Sequence, residues 1–210
     1  MSHRKTMGFP LRILGAFALL GAAGLGHAAE QITHYTYSNG KIDQFFISEP
    51  TVTSAGGKFY PQILMRGGDT ILVSAGGCVQ TGGHGATWKR YVDPSGPNSD
   101  RLYHGLVGGL PFANTMRMLD FMNSYHGTYV APPGNYFTEF FLGYEDDGYG
   151  DNGYYAHDNG TGDQCLNVGN AWVTVTLIHP EVLRAGAAHG AQNAEHRGPP
   201  RLSQSSTEAT

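Results

Sequence analysis

The sequence predicts an all-β domain folded as an antiparallel β-sandwich. Three observations carry that reading. Short runs alternate apolar and polar residues at a period of two, as in Ala171–Ile178 (AWVTVTLI). Turn formers separate the runs, and 31 glycines in 210 residues suit tight turns better than long helices. Only Thr115–Ser124 (TMRMLDFMNS) carries a helical spacing, and it is long enough for one or two turns.

Taken in order, the chain opens with Arg4, Lys5 and Arg12 around an apolar run, Ile13–Leu25. That run is shorter than the roughly 20 apolar residues a membrane span needs. It ends in Gly26-His27-Ala28, with small residues placed for a cut after Ala28. Residues 1–28 therefore read as a secretory signal, the alternative being an uncleaved anchor. Residues 29–44 are polar and are expected to form an extension or a first edge strand. The sandwich domain is expected over 45–183. Phe45–Ser48, Lys58–Met65 and Thr70–Ala75 read as strands, the last two joined by the Gly67-Gly68-Asp69 turn. Residues 82–101 read as a long loop. Leu102–Leu110 reads as a short strand. In Thr115–Ser124, Met116, Leu119 and Met122 are expected to face the core. Gly127–Ala131 and Tyr136–Tyr144 read as strands around the Pro132-Pro133-Gly134 turn. Residues 184–210 hold few large apolar side chains and are expected to be a disordered tail.

Charge narrows the function. The chain has 13 basic and 17 acidic residues; loss of Arg4, Lys5 and Arg12 with the signal leaves 10 against 17, a net −7. Nucleic-acid binding needs a basic footprint, so such a partner is not expected. The expected compartment is extracellular or periplasmic. Two cysteines, Cys78 and Cys165, in an exported chain point to a disulfide, the alternative being two buried thiols.

The segment from Glu145 to Asp163, EDDGYGDNGYYAHDNGTGD, concentrates six carboxylates: Glu145, Asp146, Asp147, Asp151, Asp158 and Asp163. Asn152 and Asn159 add amide oxygens. No Lys or Arg occurs between Met118 and Leu183, so no sequence-local base neutralises the cluster. Calcium takes six to eight oxygen ligands in flexible geometry, and glycines let backbone carbonyls reach it. Calcium is therefore the expected cofactor, the alternative being a solvated acidic loop. Magnesium prefers fewer protein ligands. The loop is not an EF-hand: counted from Asp147, the sixth position is Asn152 rather than Gly, and the twelfth is Asp158 rather than Glu. His157–Asp163 reads as turns, with a second ion as the alternative.

Four ordered pieces of the sequence carry a resemblance. They are Gly57–Phe59 through Ile71–Gly77, Asp100–Leu106 (DRLYHGL), Tyr129–Pro132, and Tyr144–Asp146 followed by Tyr149–Asn152. Together, over about residues 45–178, they resemble the bacterial calcium-dependent galactose-binding lectins of the PA-IL type. The resemblance implies a jelly-roll-like sandwich holding one calcium, which also binds two sugar hydroxyls. It implies side-chain ligands at Asp146, with Asp147 as a substitute, and at Asp151 and Asn152. It implies backbone carbonyls near Tyr149 and Gln80. Sugar contacts would come from Asp100, Arg101, Tyr103 and His104. The chain departs from the pattern in a shorter calcium loop, in Asp151 where the family has Asn, in the insert at 112–125 and in the cysteine pair.

Three functions compete: a lectin for a galactose-like or related hexose, with a homo-oligomer as an open alternative to a monomer; a calcium-stabilised structural or interaction module; and a hydrolase using His84, His104, His126 and His157 with nearby Asp. The last lacks any HExxH or GxSxG motif and is not expected.

Overall fold

The computed structural model describes residues 29–82, 87–96, 98–154 and 165–180. The expected signal segment 1–28, His84, His157–Asp163 and the expected tail 184–210 lie outside them.

The central strand of the larger sheet is β12, Trp172–Ile178. Its alternation buries Val173, Val175 and Leu177 on one face. It pairs antiparallel over seven residues with β2 (Ile42–Ser48) on one side and β4 (Thr70–Gly76) on the other. β1 (Gln31–Tyr37) adds to β2, and β9 (Thr128–Val130) to β4, giving the order β1-β2-β12-β4-β9. The polar segment after residue 28 thus supplies an edge strand and also the first residues of β2.

The second sheet has the order β3-β10-β7-β8, from Lys58–Arg66, Phe137–Tyr144, Gly105–Gly108 and Met116–Arg117. Its inner residues Tyr60, Ile63, Met65, Val107, Phe140 and Leu142 form one core with Ile47, Ile71, Val73 and Val175 of the first sheet. Each side chain so buried stabilises the fold by about 1.5–3 kcal/mol. The alternation of β3 slips between Tyr60 and Ile63, where the pairing with β10 jumps between Glu139 and Phe140. Pro61 lies in that slip; it has no N–H to give a ladder, so a bulge tolerates it.

A third, small sheet, β11-β5-β6, comes from Asn152–Gly153, Cys78–Thr81 and Trp88–Arg90. It corrects the reading of 82–101 as a plain loop. β5 and β6 form a hairpin with Trp88 wholly buried, and the Gly-, Pro- and Ser-rich flanks mask so short a strand. β5 leaves β4 at Gly77, where φ is +80° and a Cβ would lie 2.2 Å from the Asn170 carbonyl oxygen. Only glycine fits that bend.

The one α-helix of the described residues, α1, spans Met118–Tyr125. Its fully buried residues are Met118 and Phe121; of the expected Met116, Leu119 and Met122, Met116 and Met122 pack partly buried against the core and Leu119 is half-buried. Met116 belongs to β8, so the helical count starts two residues later. Cys78 and Cys165 are joined as a disulfide. Among the described residues no helix is long and apolar enough to cross a membrane.

Candidate metal and ligand site

At one end of the sandwich, β10 runs out at Tyr144 into the first half of the acidic segment. Tyr149 closes this turn: its hydroxyl donates to the Tyr144 carbonyl at 2.9 Å, and the Asp146 amide donates to it at 3.3 Å. A 3-10 turn, Tyr149–Asp151, then delivers Asn152 to β11 against β5, in register with Thr81.

Two oxygens of this turn are buried without a donor: Asp146 Oδ2 and Asn152 Oδ1. The other atoms of both side chains are committed. Asp146 Oδ1 accepts from the amides of Asp147 (2.7 Å) and Gly148 (3.4 Å). Asn152 Nδ2 donates to the Val52 carbonyl at 2.9 Å, which fixes the amide's orientation. Burial pushes the Asp146 carboxyl up from its ordinary range. The Asn152 side chain and the two amides oppose that rise, while neighbouring Asp147 adds to it. Asp146 and Asn152 therefore stand side by side. A buried acceptor without a partner costs about 1–3 kcal/mol, so the pair calls for a cation or donor.

Asp147 and Asp151 are exposed beside them. Tyr103 reports the grouping: its phenol is pushed up by burial and then by the charges of Asp147, Asp146 and Asp151. Its backbone takes φ of +71°, and Lys89 lies 5.5 Å from its ring centroid on a cation–π contact. Gln80 is less well placed. Its Oε1 is also buried without a donor, with Nε2 on the Gly82 carbonyl. It pairs across the ladder with Gly153, so its side chain leaves on the face opposite that of Asn152, and only its backbone adjoins the site.

The loop expected to contact sugar divides in two. Asp100 and Arg101 are exposed at the rim. His104 is buried at 4% exposure, with Nδ1 3.2 Å from the Glu145 carboxylate. Burial, followed by the nearby Arg117 charge, pushes its imidazole down despite Glu145. A ring so placed shapes the loop and does not offer itself to a ligand.

Arg117 escaped the sequence reading. It stands one residue outside the Lys- and Arg-free stretch, and the sheet brings it back to that stretch. Its Nε lies 2.8 Å from Glu145, while Nη1 and Nη2 donate to the carbonyls of Asp100 and Arg101 at 2.8 Å each. One acid of the cluster thus has a base from β8, inside the insert, whereas no described base pairs with Asp146, Asp147 or Asp151. No sequence signal pointed to Arg117, since its partners are 16 to 28 residues away.

Oxygen donors from an acid and an amide suit a hard cation such as calcium. Among the described residues no group of three His, Cys, Asp or Glu side chains could hold a metal by itself. A cation here would need amide and backbone oxygens as well. A depression lined by Gly76, Gly77, Arg90, Val92 and Asp93 contains none of these site residues.

No family model, curated protein or solved structure matches this chain.

Proposed function

We propose that this protein is a secreted, calcium-dependent carbohydrate-binding protein taking a galactose-like or related hexose. The observation that carries the proposal is that Asp146 Oδ2 and Asn152 Oδ1 are both buried without a donor in one turn, where no described base pairs with Asp146, Asp147 or Asp151. Asp146 and Asn152 would hold the ion, with Asp147 or Asp151 and backbone carbonyls near Tyr149 and Gln80 completing its shell. Calcium, when bound, supplies a charge that can exchange water for vicinal hydroxyls. The chain's own groups do the rest. Tyr103 offers a ring beside the acids, Asp100 and Arg101 offer polar atoms at the rim, and Arg117 holds that rim against Glu145.

A second reading, a calcium-stabilised module without sugar affinity, is favoured by one observation. The two orphaned oxygens are themselves buried, so protein covers part of any ion they hold.

One experiment separates the two. Calcium-loaded protein is screened on a glycan array, and hits are titrated with and without chelator. Affinity for a single sugar is expected at tens of micromolar to millimolar, about −4 to −6 kcal/mol, and lost in chelator. Calcium binding with no glycan hit selects the second reading. Failure to bind calcium overturns both.

A further inference from the structure

The outer face of the five-stranded sheet is unlike the rest of this acidic chain. On it, β1, β2, β12, β4 and β9 present Tyr, Phe, Trp, Thr, Ser, Gln, Gly and aliphatic side chains. None of the outward positions is Asp, Glu, Lys, Arg or His. The charged residues of these strands, Asp43 and His34, point the other way. Tyr37, Phe46, Val130 and Ile178 stand exposed on this face, at 48%, 39%, 64% and 39%. The Trp172 indole lies down over Gly76, where a Cβ would come within 3.0 Å of the ring. The pairing of β12 with both neighbours is unbroken over seven residues, so no bulge interrupts the surface.

We infer that this face packs against the same face of a second copy of the chain. The chain carries a net charge of −4, so two copies repel wherever their charged surfaces meet. This face brings no charged side chain to add to that repulsion. Four strands of seven residues and one of three, at ~4.8 Å between strands and ~3.3 Å per residue, give roughly 500 Å² in projection before side-chain relief. That approaches the ~800 Å² per partner of a standard interface. Ile42, Leu72, Val130 and Ile178 have nothing to offer a sugar hydroxyl, which favours a protein partner. A self-complementary face makes a closed two-fold dimer, with the sheets about 10 Å apart. The site at Asp146 is built on β10 and β11, outside this sheet, and stays open in such a pair.

The test is sedimentation equilibrium of the protein recovered from a secreting host, over about 1–100 μM, with and without chelator. A dimer is expected in both conditions, because the face contains no candidate metal ligand. Phe46→Lys and Tyr37→Lys should each weaken it by about tenfold or more while leaving the near-ultraviolet circular dichroism unchanged. Both side chains are exposed, so both variants should fold. A monomer throughout the range overturns the inference, as does a dimer unaffected by both substitutions. A monomer that binds glycan in chelator and loses it on Trp172→Ala gives the face to sugar and overturns it as well. Dimer mass is read without sugar or calcium, so its failure leaves the calcium-dependent reading untouched.

Discussion

Asp146 is a carboxylate on the wrong side of its own solvation. Burial favours its neutral form, and a bound cation would reverse that preference. Asp146→Asn should therefore have opposite signs in two buffers. In chelator the variant should melt at or above wild type, since a disfavoured charge is gone. In calcium it should lack the rise expected of wild type under the proposed calcium binding, about 2.7 kcal/mol at one hundred times Kd, or roughly 5–10 °C. Differential scanning calorimetry of both proteins in both buffers checks this. At the far end of the sandwich, Asp43 behaves in the contrary way. Desolvation works against its charge, but hydrogen bonds from Thr36 (2.7 Å), His179 (3.0 Å) and His34 (2.9 Å) outweigh it and hold the carboxyl at about 2. A depressed carboxyl stabilises the fold above its unfolded value, and that stability is lost as pH falls through the folded one. The protein should lose up to about 2 kcal/mol from this residue between about pH 4 and pH 2. Asp43→Asn should be less stable at neutral pH and flatter across that window, as read by urea unfolding at each pH.

Single elements hold the two halves of the site together. β8 is only two residues long, yet Arg117 on it joins the Asp100–Arg101 backbone to Glu145. Arg117→Ala should cost about 2 kcal/mol and weaken calcium binding in isothermal titration, since it frees the loop and strips Glu145 of its partner. Arg117→Lys should rescue little, because an ammonium cannot span three acceptors in a plane. The sequence could not show this device. Alternation and turn residues reveal β2, β4 and β12 because each turns every second side chain toward a shared core, and β3 and β10 because their apolar residues do so on either side of one slip. Arg117 and the β5–β6 hairpin act through neighbours distant in sequence, and a strand of two to four residues has too few positions to display a period. The helical spacing found two core-packed residues, Met116 and Met122, but not the fully buried pair Met118 and Phe121, because a spacing of three fits several starting points and the end of β8 decides which one the helix uses. The acidic turn was legible as a cluster, but which of its acids is buried depends on the Tyr149 closure and on Val52, 100 residues from Asn152.

For the whole molecule, the covalent tie is Cys78–Cys165, which encloses 87 residues of sequence separation. It anchors the residues just after the acidic segment to β5, beside Trp88 in a small second core. Chain entropy assigns such a bond about 4–5 kcal/mol, an upper figure for real proteins. Urea unfolding with and without reductant should show a fall of that order or less, accompanied by weaker calcium binding, because β5 is the strand against which Asn152 is positioned. A reduced protein with unchanged calcium affinity would show that the hydrogen-bonded turn is sufficient to fix the site. The sandwich was foreseeable from composition and period; its three-sheet division was not, since pairing order depends on contacts between segments far apart in the chain.

Among the described residues, the strand in the middle of the larger sheet, Trp172–Ile178, comes last along the chain. Until residues 172–178 are available, β2 and β4 have no common neighbour, and the inner faces of Phe45, Ile47, Ile71 and Val73 lack the row that fills the space between them. Joining the β1–β2 and β4–β9 pairs into one sheet therefore waits on residues 172–178, whereas the second sheet pairs without them. Closing the larger sheet is thus a non-local step, since β12 must meet a strand about 130 residues earlier and another about 100 residues earlier, and pairings of that kind form slowly.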